Sequence, residues 1–512
     1  MTNIKQKIIG ILVILISLFV LVLSVSGIKG NGEISLINSI KQFPQNPFET
    51  SLSRARFSLI KSLGDEHTFI IDAYASISFP DVIYSKGHYY SVFIPGPVIV
   101  SLPFYLLGKN FNLGVLFVDL VGPIATLLSM LFLYKILRKF HMSHAISLLS
   151  TFLMVFASDV FVFSTIFNAH PLSMLAITMA TYGVVKVILE KNKLIGYSLF
   201  WFSFGMAIFF DYPNLISLVP FTILLFLSAF QIISYENRKV LKINLLFIFT
   251  VIFALIGIIP IGLYTYHLFG TIFTTIEPHQ IQGYFDHGIA TYKLPQNPNF
   301  FISHKPVYKL LDINPQYVWL GLFTLLISLP RGLFLYFPIF ILSLFGIKPF
   351  YKQHKGLCVS SIFSIILTTL VYACYADFAG GWSYGSRFFI GITPIFFIFF
   401  AYAVKQNWRS LLFSLTVLLA SLYSISVSVL GALNGKLLAS PLENHNWGIT
   451  NTFFNDLANI SKAKYASFFY DYFIRSFLSR SDFFYLMLII LLIFFLCLFI
   501  YVIQTERKNY AR

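Results

Sequence analysis

The chain has 512 residues, of which 57% are hydrophobic and only 11% charged, with a formal net charge of +16, and its mean hydropathy is +0.79. Soluble domains carry about 25% charged residues, so folding this mixture in water would leave far more apolar surface exposed than water tolerates. The basic excess falls in short clusters between apolar runs, with no basic stripe interleaved with aromatics on a polar domain, and this excludes nucleic acid as a partner.

Apolar runs of about 20 residues are the unit of a membrane-spanning helix. They predict an all-α, polytopic bundle with spans at 8–27, 113–137, 143–161, 168–188, 194–210, 213–233, 243–264, 331–347, 356–376, 387–404, 410–431 and 482–503. The first run follows Lys5 and Lys7, lacks a small-x-small cleavage site and is long enough to span, so it reads as a retained helix. The stretch 318–329 reads as a further helix or a re-entrant segment. Cys358, Cys374 and Cys497 are too few and too scattered for a disulfide framework or a metal knuckle.

Charge orients the bundle. With the N terminus inside, the inner segments hold Lys135, Arg138 and Lys139; Lys186, Lys191 and Lys193; Arg238, Lys239 and Lys242; Lys348, Lys352 and Lys355; Lys405 and Arg409; and the tail Arg507, Lys508 and Arg512. Every inner segment is basic, as the positive-inside rule requires, which predicts a multi-pass plasma-membrane protein with both termini cytoplasmic. Of the 20 Asp and Glu, all but Glu190, Glu236 and Glu506 fall on outer segments or near outer span ends. That segregation places carboxylate chemistry at the outer face.

Three outer segments are long: 28–112, 265–330 and 432–481. Loops of such length in a compact bundle are functional or disordered, and their aromatic and apolar content argues against disorder. Residues 1–431 read as one transmembrane region carrying the first two of these loops. Residues 432–512 add the third loop, a last span and a basic tail. In the first loop, 51–63 and 95–107 are amphipathic and read as helices lying in the membrane interface. Between them stand Asp72, then Asp81, then the turn Lys86-Gly87-His88-Tyr89-Tyr90 and Pro95-Gly96-Pro97.

This order of parts resembles the first outer loop of the GT-C superfamily of polyprenyl-phosphate-sugar-dependent glycosyltransferases, which includes protein mannosyltransferases and the lipid A aminoarabinose transferase. Further elements follow in order: Asn168-Ala169-His170, Asp211-Tyr212-Pro213, His267-Leu268-Phe269-Gly270, Arg331-Gly332-Leu333-Phe334, and Gly380-Gly381-Trp382-Ser383-Tyr384-Gly385-Ser386-Arg387. The resemblance implies a GT-C bundle with interfacial helices in its first outer loop. It also implies transfer of a hexose or pentose from a polyprenyl-phosphate donor to a lipid, glycan or protein hydroxyl. Many members begin the first interfacial helix with an acidic pair. Aligning Arg56-Phe57 with their basic-aromatic pair puts Ser53-Arg54 where those acids stand, so the catalytic carboxylate falls to Asp81, Asp72 or Glu49.

An attacking hydroxyl needs such a carboxylate as general base, and the departing lipid phosphate needs a cation. Arg387, following a glycine-rich turn, is the first candidate for the phosphate, since a guanidinium binds it bidentately. Lys86 and Arg331 are further candidates, with snorkelling to headgroups as the alternative role. His88, Tyr89, His170 and Asp211 complete the candidate substrate site, while Asp377 flanks a later span. No metal-ligand spacing is present, and a divalent cation stays open as a cofactor. Two other functions stay open: a transporter or flippase of a lipid-linked substrate, and an inactive GT-C-like assembly protein. Transport predicts charges lining the bundle centre, and mid-span positions hold almost none.

Overall fold

A computed structural model describes residues 2–41, 46–190, 193–235, 238–286, 289–295, 300–308, 313–434, 437–461 and 467–510. Of the charge clusters, Lys191, Glu236 and Arg512 lie outside the described residues. The protein is a helical membrane bundle. Among the described residues, eight helices are long and apolar enough to cross a membrane: Gln6–Ser24, Gly114–Lys139, His170–Leu189, Leu245–Phe269, Lys355–Ala373, Arg387–Asn407, Leu411–Leu433 and Arg480–Lys508. Four shorter apolar helices accompany them: Gly96–Lys109, His144–Phe156, Leu194–Phe210 and Asn214–Ala229.

Local chemistry sets several of the boundaries. Ser143 and Ser410 cap their helices by accepting from the amides of Ile146 and Phe413, which satisfies otherwise orphaned first-turn donors. Several apolar runs are not continuous helices, and the helix in the 213–233 run ends at Ala229, where the strand Phe230–Tyr235 begins. The 143–161 run stops at Phe156 and restarts as Val160–Ser164. The 331–347 run is divided into Leu333–Tyr336, Ile339–Ser343 and Ile347–Gln353. Pro338 stands at the first of those breaks, where a missing N–H and a ring that clashes with the preceding turn stop propagation. The stretch 318–329 contains the helix Val318–Leu326.

Close helix approach follows small residues. A Cβ at Gly205 would overlap the carbonyl of Ala254, and one at Gly257 the carbonyl of Gly205. The last helix joins the same core as the rest: Leu491, Phe495 and Leu498 are buried in it, and Phe494 packs 5.4 Å from Phe152.

The fold departs from pure helix in three small antiparallel sheets. Val82–Ser85 pairs with His88–Ser91 around Lys86 and Gly87, both at positive φ, the backbone a tight hairpin demands. Phe230–Tyr235 pairs with Arg238–Ile243, and Ile281–Asp286 pairs with Ile289–Thr291 and Pro306–Tyr308.

The three long segments gather at one end of the bundle. Ser26 N–H donates to the Thr165 carbonyl at 2.7 Å, and Phe468 N–H to that of Val25 at 2.9 Å. Ile83 bridges to Gln280, Ile313 to Tyr375 and Ser383 to Leu438. At the opposite end Glu190 pairs with Lys139 at 2.5 Å and Lys186 at 3.0 Å.

Candidate functional site

The first element of the site is the helix Ser51–Lys61, capped by Thr50. Its residues 55 to 60 are all buried, so protein encloses it on more than one face. Arg56 is 7% exposed, and its Nε and Nη1 have no hydrogen-bond partner. The guanidinium carbon lies 4.3 Å from the centre of the Phe93 ring, a cation–π contact that compensates part of its desolvation. Burial lowers the Arg56 pKa to about 10, which leaves it charged at neutral pH; Asp211 opposes that lowering and Arg387 adds to it.

The second element is the turn ending at Arg387. Gly380, Gly381 and Gly385 all have left-handed φ, at 74°, 57° and 61°, conformations costly for residues with a Cβ. Asp377 accepts from the Gly381 amide at 2.9 Å. A Cβ at Gly380 would lie 3.3 Å from Arg387 Nε, so the guanidinium packs directly on the turn. That Nε is buried without a partner. Beneath it Phe388 stacks on Tyr372 at 4.0 Å and 10°.

Carboxylates complete the arrangement. Asp211 sits between the helices Leu194–Phe210 and Asn214–Ala229. Burial pushes its carboxyl above the usual range, while Arg56 and then Arg387 pull it back. Glu277, in the turn Glu277–His279, also acts on Arg56, as does Asp81. The charges of Arg387 and Arg56 both reach His170. Two guanidinium groups with unused donors are therefore coupled by charge to Asp211 and His170, and Arg56 to Glu277 as well, a set of groups suited to binding an anion beside a proton acceptor.

The structure sorts the residues expected from sequence. Arg387, Asp211 and His170 come together. Asp81 forms a flank, accepting from Ser51 Oγ at 2.6 Å and Gln280 Nε2 at 2.9 Å. Asp72 instead braces the hairpin, 2.7 Å from His88 Nδ1 and 2.6 Å from the Tyr89 amide, and its charge bears on Tyr84, Tyr89 and Tyr90. Tyr89 is buried, and desolvation raises its phenol above the ordinary range. Lys86, at the hairpin tip, donates to the His267 carbonyl at 2.6 Å. Glu49 lies toward the third long segment, where its charge acts on Asp456.

Arg331 needs correction as a phosphate candidate. It is fully buried and donates to the carbonyls of Ala379, Pro330, Gly381, Leu438 and Ala439 at 2.8–3.1 Å. With its fork engaged by backbone oxygens, it has no free face for an anion. Among the described residues, no three His, Cys, Asp or Glu side chains are grouped as a metal site requires.

Sequence reasoning missed two members of this charged group. Arg56 served only as an alignment mark, although a basic residue amid the apolar positions Phe57, Leu59 and Ile60 was a signal of an enclosed charge. Glu277 carried no signal, standing in a loop without periodicity.

Residues 96–264 match the family model described as dolichyl-phosphate-mannose-protein mannosyltransferase. No curated protein matches along the sequence. The fold is similar to that of ArnT from Cupriavidus metallidurans in the apo state, with a TM-score of 0.50 and 11% identity over 99% of this chain and 76% of that one. The same protein bound to undecaprenyl phosphate gives 0.46 at 10% identity, over 98% and 77% of the two chains. The Archaeoglobus fulgidus oligosaccharyltransferase with zinc and sulfate gives 0.41 at 13% identity, over 81% and 52%.

Proposed function

We propose that this chain, which has the GT-C fold, is a membrane glycosyltransferase. In this reading it moves a sugar from a polyprenyl-phosphate carrier to a hydroxyl of a lipid, glycan or protein at the extracytoplasmic face. The observation that carries the proposal is the buried guanidinium of Arg56 and the half-buried one of Arg387, each with a buried unpartnered nitrogen and each with a charge that acts on Asp211. Uncompensated buried charge is costly, and a phosphate supplies the missing partner. The name of the family whose model matches residues 96–264 supports a lipid-phosphate donor. The basic clusters at the opposite end support cytoplasmic termini.

In the proposed step the acceptor oxygen attacks the anomeric carbon and the bond from that carbon to the phosphate oxygen breaks. The electron pair leaves with the phosphate, where Arg56 and Arg387 stabilise the added charge. Asp211 takes the acceptor's proton. Its raised pKa makes it a stronger base than an ordinary carboxylate. The charges of Glu277 and Asp81 favour the ionised form of Arg56.

The test is transfer of a labelled sugar from a synthetic polyprenyl-phosphate donor by purified protein. Arg56→Ala, Arg387→Ala and Asp211→Asn are each expected to lower turnover about 100-fold or more, the order seen when a transition-state charge partner is removed. Full turnover in all three variants would reject this site. Movement of the donor between leaflets without transfer would favour the flippase reading.

A further inference from the structure

A full positive charge lies sealed inside the protein at Arg331. Arg331 is 0% exposed, and its five donations reach three separated segments of chain. Two go to the carbonyls of Ala379 and Gly381, on either side of Gly380. Two more go to Leu438 and Ala439 in the third long segment. The Arg331 carbonyl in turn accepts from Ser386 Oγ, which also donates to the Leu325 carbonyl at 2.8 Å. Both ends of the glycine-rich turn are thus attached to one residue.

The turn needs such a fastening. Its three left-handed glycines are the residues with the most backbone freedom to lose, so backbone preference alone does not fix it. On its outer side it is tied by the Ser383–Leu438 bridge and by Trp382 Nε1, which donates to Glu443 at 2.8 Å. The Arg387 side chain rests on Gly380, between the two carbonyls that Arg331 grips.

We infer that Arg331 is a positioning residue: with the 438–443 segment it clamps the Gly380–Arg387 turn and so sets where the Arg387 guanidinium stands. This rests on the reading of Arg387 as a ligand of the carrier phosphate. A lysine keeps the charge but presents a single ammonium, which cannot reach carbonyls on both sides of Gly380 and on 438–439 together. Glu443 offers a second handle on the same clamp, at an exposed rim remote from the packed core.

The experiment is a double-mutant cycle read by binding of a synthetic polyprenyl monophosphate to the full-length protein in nanodiscs. Arg331→Lys is expected to weaken binding roughly tenfold and Glu443→Ala about threefold when Arg387 is present. In an Arg387→Ala background each is expected to change binding by less than about twofold, since residues acting through one partner are non-additive. Undiminished losses in that background, or wild-type binding by Arg331→Lys, overturn the inference. Should Arg331→Lys not be recovered folded, the Glu443→Ala cycle decides by the same criterion. Unchanged binding in Arg387→Ala alone strikes first at the phosphate site, and removes the positioning role with it.

Discussion

Arg56 and Asp211 are coupled by charge without forming an ion pair: each acts on the other, yet two of the Arg56 guanidinium nitrogens have no acceptor. A buried cation coupled to a half-buried carboxylate without an ion pair keeps donors unused. Leaving the donors of a buried guanidinium unpaired costs stability, which fits a group kept for binding rather than for holding the fold.

The first prediction follows from that cost. Arg56→Met removes an under-satisfied buried charge and keeps much of the side-chain volume. Its melting temperature is expected to equal or exceed that of the wild type, while sugar transfer falls about 100-fold. Thermal unfolding and the transfer assay on one preparation check both halves. A large loss of stability would mean that Arg56 is a structural strut.

The second concerns pH. Burial raises the Asp211 pKa and Arg56 lowers it. As a base, Asp211 works only when ionised, so the rate falls as pH drops through its pKa. Without Arg56 that pKa rises further, so the acidic limb of the residual activity in Arg56→Met is expected at higher pH than in the wild type. Asp211→Asn is expected to lose the limb. Rate profiles between pH 4 and 8 decide the point.

The third lies in the third long segment. Desolvation, with a smaller contribution from Glu49, raises Asp456 to about 7. Between the ordinary carboxylate value and 7 the folded state holds a proton that the unfolded chain has released, so stability falls as pH rises through that window. Asp456→Asn is expected to flatten the melting temperature between pH 4 and 7. It should also stabilise the protein at pH 8 by about 2 kcal/mol, allowing for partial exposure. A wild-type melting temperature that rises across the window would contradict this.

The fourth tests how the first loop is seated. A Cβ at Gly96 would overlap the carbonyl of Phe209, two residues before Asp211. Gly96→Ala therefore forces the helix Gly96–Lys109 away from the helix Leu194–Phe210, at a cost of about 1–3 kcal/mol. A lower melting temperature is expected, with transfer impaired even at temperatures where the protein stays folded.

Asp72 yields the last prediction. Its two oxygens hold the His88 ring and the Tyr89 amide. Asp72→Asn should lower stability by about 1–2 kcal/mol through weakened hydrogen bonds to a charged acceptor, and change the transfer rate less than about threefold. A hundredfold rate loss at unchanged stability would restore Asp72 to the catalytic set.

Some of the site was readable in advance. Arg387 follows three glycines within eight residues, and that spacing marks a tight turn before any coordinates are known. Asp211 was legible because an acid between two apolar runs must lie at a helix junction. Arg331 misled because a guanidinium and a backbone carbonyl leave no pairing signature in sequence. Its partners at 379, 381, 438 and 439 are visible only once those segments meet.

The sequence by itself determined the solvent of this protein, its helical bundle class and the segregation of basic clusters from acidic segments. Those properties follow from hydropathy and charge summed over short windows, which no distant contact can change. Only the tertiary structure decided which carboxylate stands beside which guanidinium. Arg56, Asp211, Glu277 and Arg387 come from four distant segments, and electrostatic coupling depends on distance in space. Asp72 and Asp81 look alike in the linear chain, yet a hairpin claims the first, while the charge of the second reaches Arg56.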